Sequence, residues 1–313
     1  MRIYDLHADI GTDIFDRIKL DNDKEILKNH HLNKLKKGEI RGVAMACFFK
    51  GDEDWPTMQE MVRLTQTEIN ANKDQVRWVK EKKDMIIDDH LLGIISVEGM
   101  CGIKTKVKDK IDWLYENGVR IGSLCWNDSN KLAEGWPNNP LRGLTRQGQI
   151  VIRRMNELNM IVDISHTNEK SFWDIITLSD KPIIATHSNA RSLCNHQRNL
   201  TDQQIKAIAL KGGLIGLNAA KGFVSLLPSE QNALTLAKHA KYMADMVGYQ
   251  HIACGFDYMD FFEDEHGDSM AHDLTNAADS QNLIHALKEV GFTEKELEAI
   301  AYKNVHDFLV KYL

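Results

Sequence analysis

The sequence predicts an α/β protein, a closed (β/α)₈ TIM barrel formed by residues 1–313 as a single domain. Three observations carry this expectation. Eight short apolar stretches rich in β-branched residues recur along the chain, and each is followed by a longer segment with helical spacing. Strands alternating with helices mean βαβ units and a parallel sheet. Eight such units in 313 residues fit closure into a barrel better than a doubly wound sheet, and no glycine-rich nucleotide fingerprint follows the first strand.

In chain order the predicted strands are Arg2–Leu6, Gly42–Phe49, Leu91–Val97, Val119–Cys125, Met160–Ser165, Pro182–Thr186, Gly213–Asn218 and His251–Phe256. A helix is expected over Met58–Lys83, where Met61, Leu64, Thr65, Ile69, Val76 and Val79 recur at near-helical spacing. Thr145–Leu158 reads likewise through Ile150, Ile152, Met155 and Leu158. Thr201-Asp-Gln-Gln204 has capping-box spacing and opens a helix that stops at Gly212-Gly213. No linker, repeat or low-complexity tract divides the chain.

Composition narrows the function. With 43% hydrophobic residues, 27% charged residues and only 5 prolines, the chain is neither disordered nor collagen-like. Lys and Arg number 39 against 45 Asp and Glu, a net charge of −6, which gives no electrostatic reason to expect nucleic acid or an anionic membrane. Met1–Leu20 is interrupted by Asp5, His7, Asp9, Asp13 and Asp16, so no signal-peptide core is expected there. No apolar run approaches the ~18 residues of a membrane helix. The five cysteines (Cys47, Cys101, Cys125, Cys194 and Cys254) include no Cys-x-x-Cys pair, so reduced thiols and a cytoplasmic location are expected.

Barrels of this kind place their chemistry at the carboxyl ends of the strands. The first predicted strand runs into Asp5-Leu-His7-Ala-Asp9; side chains two apart share a face, so His7 and Asp9 can grip one cation. Taken alone, that pair is better read as a surface histidine and a helix-capping aspartate. The third strand ends in Ser96-Val-Glu98, and a carboxylate after so apolar a run is out of place unless paired or metal-bound. The fifth ends in Val162-Asp-Ile-Ser-His166, the sixth in Ile184-Ala-Thr-His187, the eighth in Cys254-Gly-Phe-Asp257. Five of eight strands thus end in a nitrogen or oxygen donor. Imidazole and carboxylate without thiolate suit Zn²⁺ or a similar divalent metal with an open coordination position. Six donors exceed one tetrahedral ion, so two metal ions bridged by a carboxylate are expected, ~3.5–4 Å apart and lowering the pKa of a bound water to about 7.

The other histidines fail this filter. His30, His31, His239, His285 and His306 fall in predicted helices and are expected to be solvated; His90 and His251 sit at strand entrances. His196, in the loop after the sixth strand, is within reach of a substrate, and His266 and His272 fall in the acidic loop Glu263–Asp273, where solvation is expected over ligation. The connections Lys50–Pro56, Trp126–Arg142 and Tyr258–Asp273 are placed to shape a pocket, with Trp55, Trp136, Tyr258, Phe261 and Phe262 as candidate walls or, equally, rim packing.

These residues resemble the renal (membrane) dipeptidase family of zinc peptidases, a branch of the amidohydrolase-like metallo-barrels. The resemblance runs through almost the whole chain. It rests on Asp5-Leu-His-Ala-Asp9, Ser96-Val-Glu-Gly99, the block from Gly143-Leu-Thr to Val162-Asp-Ile-Ser-His166, His187-Ser followed by Arg198-Asn, and Gly255-Phe-Asp257. It implies a zinc-dependent dipeptidase that hydrolyses small dipeptides, and it suggests a homodimer. His7 and Asp9 would bind one metal, His166 and His187 the other, and Glu98 would bridge them. Asp257 would exchange a proton with the bridging hydroxide and pass it to the leaving amine. Arg198 would clamp the terminal carboxylate with its bidentate fork. Trp126, Asn127 and Asn218 would face the substrate. Two positions depart from the family pattern: Trp126 stands where many members carry a histidine, and Asn218 is followed by Ala219-Ala220 where an aromatic is frequent. Both touch substrate groups rather than metal ligands. They leave open a second reading, the same two-metal centre acting on another amide, a lactam or an ester. A barrel that merely binds a ligand would show a lost metal donor, and none is lost.

Overall fold

Nine strands form among the described residues, 1–262 and 269–313 of the computed structural model. They are β1 (Ile3–Ala8), β2 (Ile40–Phe48), β3 (Val76–Trp78), β4 (Leu91–Glu98), β5 (Val119–Ser123), β6 (Ile161–Asp163), β7 (Ile183–Ile184), β8 (Ile215–Leu217) and β9 (Ile252–Cys254). All pair in parallel, in the order β7-β6-β5-β4-β2-β1-β9-β8. The ring is closed between β7 and β8, where Ala185 N donates to Leu214 O (2.9 Å) and Gly216 N to Ala185 O (2.8 Å). The eight-stranded barrel is the one the alternation predicts.

One apolar cluster takes a member from every barrel strand or its edge: Leu6, Ala44, Ile94, Ile121, Ile161, Ile184, Leu214 and Ala253. Tyr302, Val305, Phe308 and Leu309, from the chain's last helical stretch, close its lower end. Residues two apart along a strand share a face. The inward row of β4 therefore continues from Ile94 through Ser96 to Glu98 and that of β6 from Ile161 to Asp163, while Asp257 follows three residues after the end of β9. Polar groups meet at one rim because they prolong the rows that build the core. In β1 the pairing with β2 shifts register between Asp5 and Ala8, where His7 lies. At the centre of the rim the barrel is tight: a Cβ at Gly216 or Gly255 would stand 1.9 or 1.8 Å from the carbonyl oxygen of Thr186.

The helix expected over Met58–Lys83 is shorter. It spans Trp55–Ala71, opens at Asp54, which accepts from Thr57 N, and ends at Asn72, whose Nδ2 donates to Glu68 O (2.8 Å). Val76 and Val79 are buried beyond it, Val76 within β3 against β4, because β-branched residues three apart satisfy a short strand and its exit as well as a helix. The Thr201–Gln204 capping box forms as predicted. All five thiols are buried and unpaired. No helix among the described residues is long and apolar enough to cross a membrane.

Two histidines expected in solvent are buried instead. His31 pairs through Nε2 with Asp13 Oδ2 at 2.7 Å. His239, in the helix Ala233–Val247, accepts from Ala190 N at Nδ1 (3.1 Å) and donates from Nε2 to Val224 O (2.9 Å), tying together the loops after β7 and β8. Burial lowers its pKa below 6.5. The unfolded chain then binds a proton that the native chain refuses. This contribution is intact above pH 6.5 and is lost as pH falls below it, by about 1.4 kcal/mol per pH unit until the native pKa is reached. H239Q keeps an acceptor and a donor but not the titration. Its urea midpoint is expected to fall less steeply than the parent's between about pH 7 and pH 5; parallel curves would remove His239 as a source of acid sensitivity. His266 lies outside the described residues.

Candidate metal centre and active site

Glu98, the last residue of β4, is the hub. Its Oε1 lies 2.8 Å from His166 Nε2 and 3.2 Å from His187 Nε2, and its Oε2 lies 3.5 Å from His7 Nε2. His7 Nε2 is in turn 3.5 Å from Asp9 Oδ1 and 3.7 Å from Asp257 Oδ1. All six strand-end donors are buried at one place, in overlapping triads His7–Asp9–Glu98, Glu98–His166–His187 and His7–His187–Asp257. Asp9 precedes the helix Ile10–Asp16, yet its side chain makes no capping bond and turns to His7 instead.

The hydrogen bonds settle which ring nitrogens are bare. His166 Nδ1 faces Asn127 Oδ1 at 2.9 Å, an oxygen that can only accept, so Nδ1 carries the proton. Thr186 Oγ1 donates to Asp163 Oδ2 (2.7 Å) and therefore accepts from His187 Nδ1 (2.7 Å). Each ring turns an unprotonated Nε2 inward, and the two nitrogens stand 2.9 Å apart. Lone pairs at that separation repel unless a cation draws both. Among the described residues, His7 Nε2, Asp9 Oδ1 and Glu98 Oε1 are also buried without a hydrogen bond of acceptable geometry, a rarity in native proteins. The donor set fits divalent metal.

The charges agree. Burial pushes His166 down to about 4, with Arg198 adding to the effect, and pushes His187 well below its usual value, so both rings are neutral, as metal ligands must be. Burial alone would raise Glu98, but the imidazoles set against it outweigh burial and hold the carboxylate ionised; Glu98 and Asp9 in turn raise His7 well above its usual value, so His7 keeps a proton that a metal would have to replace. Burial raises Asp257 to about 8, with the charges of Asp9 and Glu98 adding to it.

Two carboxylates outside the expected set brace this rim. Asp5 Oδ1 accepts from His7 N (3.2 Å) and from Phe256 N (2.9 Å), linking β1 to the segment that carries Asp257. Asp163 Oδ1 accepts from Ser165 N and Thr186 N (both 3.0 Å), linking the ends of β6 and β7 just below His166 and His187. The only signal in the sequence is an aspartate two or three residues before a ligand histidine. T186V removes the hydroxyl between Asp163 and His187. Loss of such an outer partner is expected to weaken metal binding about 10–100-fold in a chelator competition; unchanged affinity would show that this contact does not orient His187.

A cavity of about 890 Å³ opens above the donors, with Asp9, Glu98, His166 and Asp257 in its lining. Trp126 lines it, its ring 5.9 Å from that of His166 and edge-on to Phe48 at 4.9 Å. Asn127, Trp136, His196, Phe261 and Phe262 also line it. Trp55 and Tyr258 do not: Trp55 packs edge-on against Trp113, and Tyr258 is buried with its hydroxyl on Ser280 Oγ. Asn218 is wholly buried below the cavity; its Nδ2 donates to Asp257 Oδ2 (3.1 Å) and its Oδ1 accepts from Ala220 N (2.6 Å), so here it orients Asp257. Arg198 is 3% exposed and donates to Ser188 Oγ (2.9 Å) and His187 O (3.0 Å), while its Nε has no partner among the described residues; it borders a smaller cavity of about 260 Å³ that shares Trp136 as a wall.

Such a donor set, at the carboxyl end of a parallel barrel, defines a metallo-hydrolase. The model of the membrane dipeptidase family, peptidase family M19, matches residues 1–309, and the chain belongs to that family: it is a metallo-dipeptidase, a hydrolase acting on peptide bonds. It is 33% identical over 227 residues to an uncharacterised Klebsiella pneumoniae protein from the pqqA 5′ region, covering 69% of this chain and 81% of that one. It is 27% identical over 221 residues to the Aspergillus oryzae dipeptidase aclJ, covering 69% of this chain and 49% of that one. Its fold is similar to a metallo peptidase from Rhodobacter sphaeroides solved with a phosphinate mimic of the dipeptide L-Ala-D-Ala (TM-score 0.86, 22% identity, covering 100% of this chain and 99% of that one).

Proposed function

We propose that the enzyme is a cytoplasmic two-zinc dipeptidase, in which His7 and Asp9 hold one ion, His166 and His187 the other, and Glu98 both. The observation that carries this reading is the pair of unprotonated Nε2 atoms set face to face against Glu98. Zinc, when bound, supplies a water acidified to hydroxide near neutral pH and polarises the scissile carbonyl. The chain supplies the rest. Asp257, oriented by Asn218, takes the nucleophile's proton on its carboxylate and hands it to the leaving amine. Trp126 and Trp136 wall the cavity and keep bulk water from the peptide. Arg198 offers its unpartnered Nε–H and a buried charge to the terminal carboxylate. The buried, unpaired thiols accord with a reducing compartment.

The test is a panel of L,L- and L,D-dipeptides, lactams, esters and N-acyl amino acids, assayed with and without chelator. The L,D members belong there because the Rhodobacter sphaeroides protein was solved with such a mimic. Dipeptide hydrolysis that chelation abolishes and zinc restores is the expected result. Turnover confined to lactams or esters would favour the second reading, to which the indole of Trp126 beside His166 lends some weight.

A further inference from the structure

We propose that His196 is a substrate-binding residue, a neutral donor that presents Nε2–H to a carboxylate oxygen of the dipeptide. The inference rests on the dipeptidase reading and adds to it a recognition group that the metal centre does not require.

The ring's tautomer is fixed by the backbone. Arg198 N donates to His196 Nδ1 at 3.1 Å, so that nitrogen carries the lone pair and the proton resides on Nε2. The ring's orientation is fixed by packing: Trp136 meets it edge-on at 5.1 Å and Phe223 lies tilted against it at 4.7 Å. Among the described residues Nε2 has no hydrogen-bond partner, and the ring lines the large cavity that also holds Glu98 and Asp257. Burial, with Arg198 and Arg191 nearby, lowers its pKa, so it remains a one-proton donor at neutral pH.

Charge selects the partner. Asp9, Glu98, His166 and Asp257 crowd the catalytic end of the cavity, where the scissile bond must lie, so the substrate's carboxylate is left to the wall that carries His196. On the side of Phe223, the Arg198 guanidinium lies 5.8 Å from that ring's centre while His196 packs against the same ring. A carboxylate against that wall meets the His196 N–H, with the buried charge of Arg198 on the Phe223 side of the loop behind it. Trp126, at the other wall, has a single indole N–H and no charge to offer.

The experiment uses zinc-loaded full-length protein and two probes, a phosphinate mimic of Ala-Ala with a free carboxylate and its carboxamide. Binding is measured by calorimetry for the parent, H196F and H196Q. Phe keeps the packing and removes the donor; Gln restores an N–H near the position of Nε2. H196F is expected to weaken the carboxylate mimic about 10-fold or more, with less than about 2-fold on the carboxamide, and H196Q to recover most of the loss. A loop disturbed by losing the Nδ1 acceptor would weaken both probes alike, so equal effects, or none, overturn the assignment. Nitrogen NMR of the metal-free parent is expected to show the Nε2–H tautomer; an Nδ1–H or doubly protonated ring also overturns it. A parent that binds neither probe refutes the dipeptidase reading itself.

Discussion

D257N is expected to lower peptide hydrolysis by roughly 10²–10⁴-fold while metal content stays at the parent's level. Three features make the substitution clean. Asp257 sits at φ 60, a left-handed backbone that Asn tolerates nearly as well as Asp. Its Oδ2 accepts from Asn218 Nδ2, a bond the amide oxygen of Asn can keep. And the other five donors lie on other strands. What Asn cannot do is hold a proton and release it. In the chain without metal, burial raises this carboxyl to about 8, the kind of perturbation that marks an acid–base group. Metal analysis beside kcat checks the result. Retained turnover would remove Asp257 from proton transfer, and loss of metal would make it a ligand instead.

E98Q is expected to fail earlier, at metal binding: at most one ion per chain, and activity below detection. The two carboxylate oxygens serve two sides of the centre, Oε1 towards His166 and His187 and Oε2 towards His7. A carboxamide offers one acceptor, and its NH₂ would face ring nitrogens that need a cation. The loss in affinity should therefore exceed the ~10–100-fold typical of an outer-sphere partner. A thermal melt of the metal-free forms separates lost binding from lost folding. Retention of two ions by a folded E98Q would show that Glu98 bridges nothing.

The barrel and its cluster of candidate donors were legible because both follow from one period. A strand row that is apolar at Ile94 and ionised at Glu98 declares its core and its rim in the same five letters, and Ile161–Asp163 repeats the statement. Other features were hidden for equally physical reasons. Val76 and Val79 fit two periods at once. His239 looked solvated because its partners are the Ala190 N–H and the Val224 carbonyl, which any residue supplies. Asp5 grips the amide of Phe256, 251 residues away, and no side-chain pattern marks such a bond. The resemblance implies that Asn218 faces the substrate; in the fold it is buried beside Asp257, to which its Nδ2 donates.

The hydrogen-only positions at Gly216 and Gly255 bear on how this enzyme can be altered. The Thr186 carbonyl fills the space where a methyl would go, and the next residue is His187, a candidate ligand. Variation at either glycine would displace the catalytic floor before it touched any specificity. Libraries meant to shift substrate preference should therefore spare both codons and diversify Trp126, Trp136 and Phe223, whose side chains face the void and carry no part of the scaffold's closure.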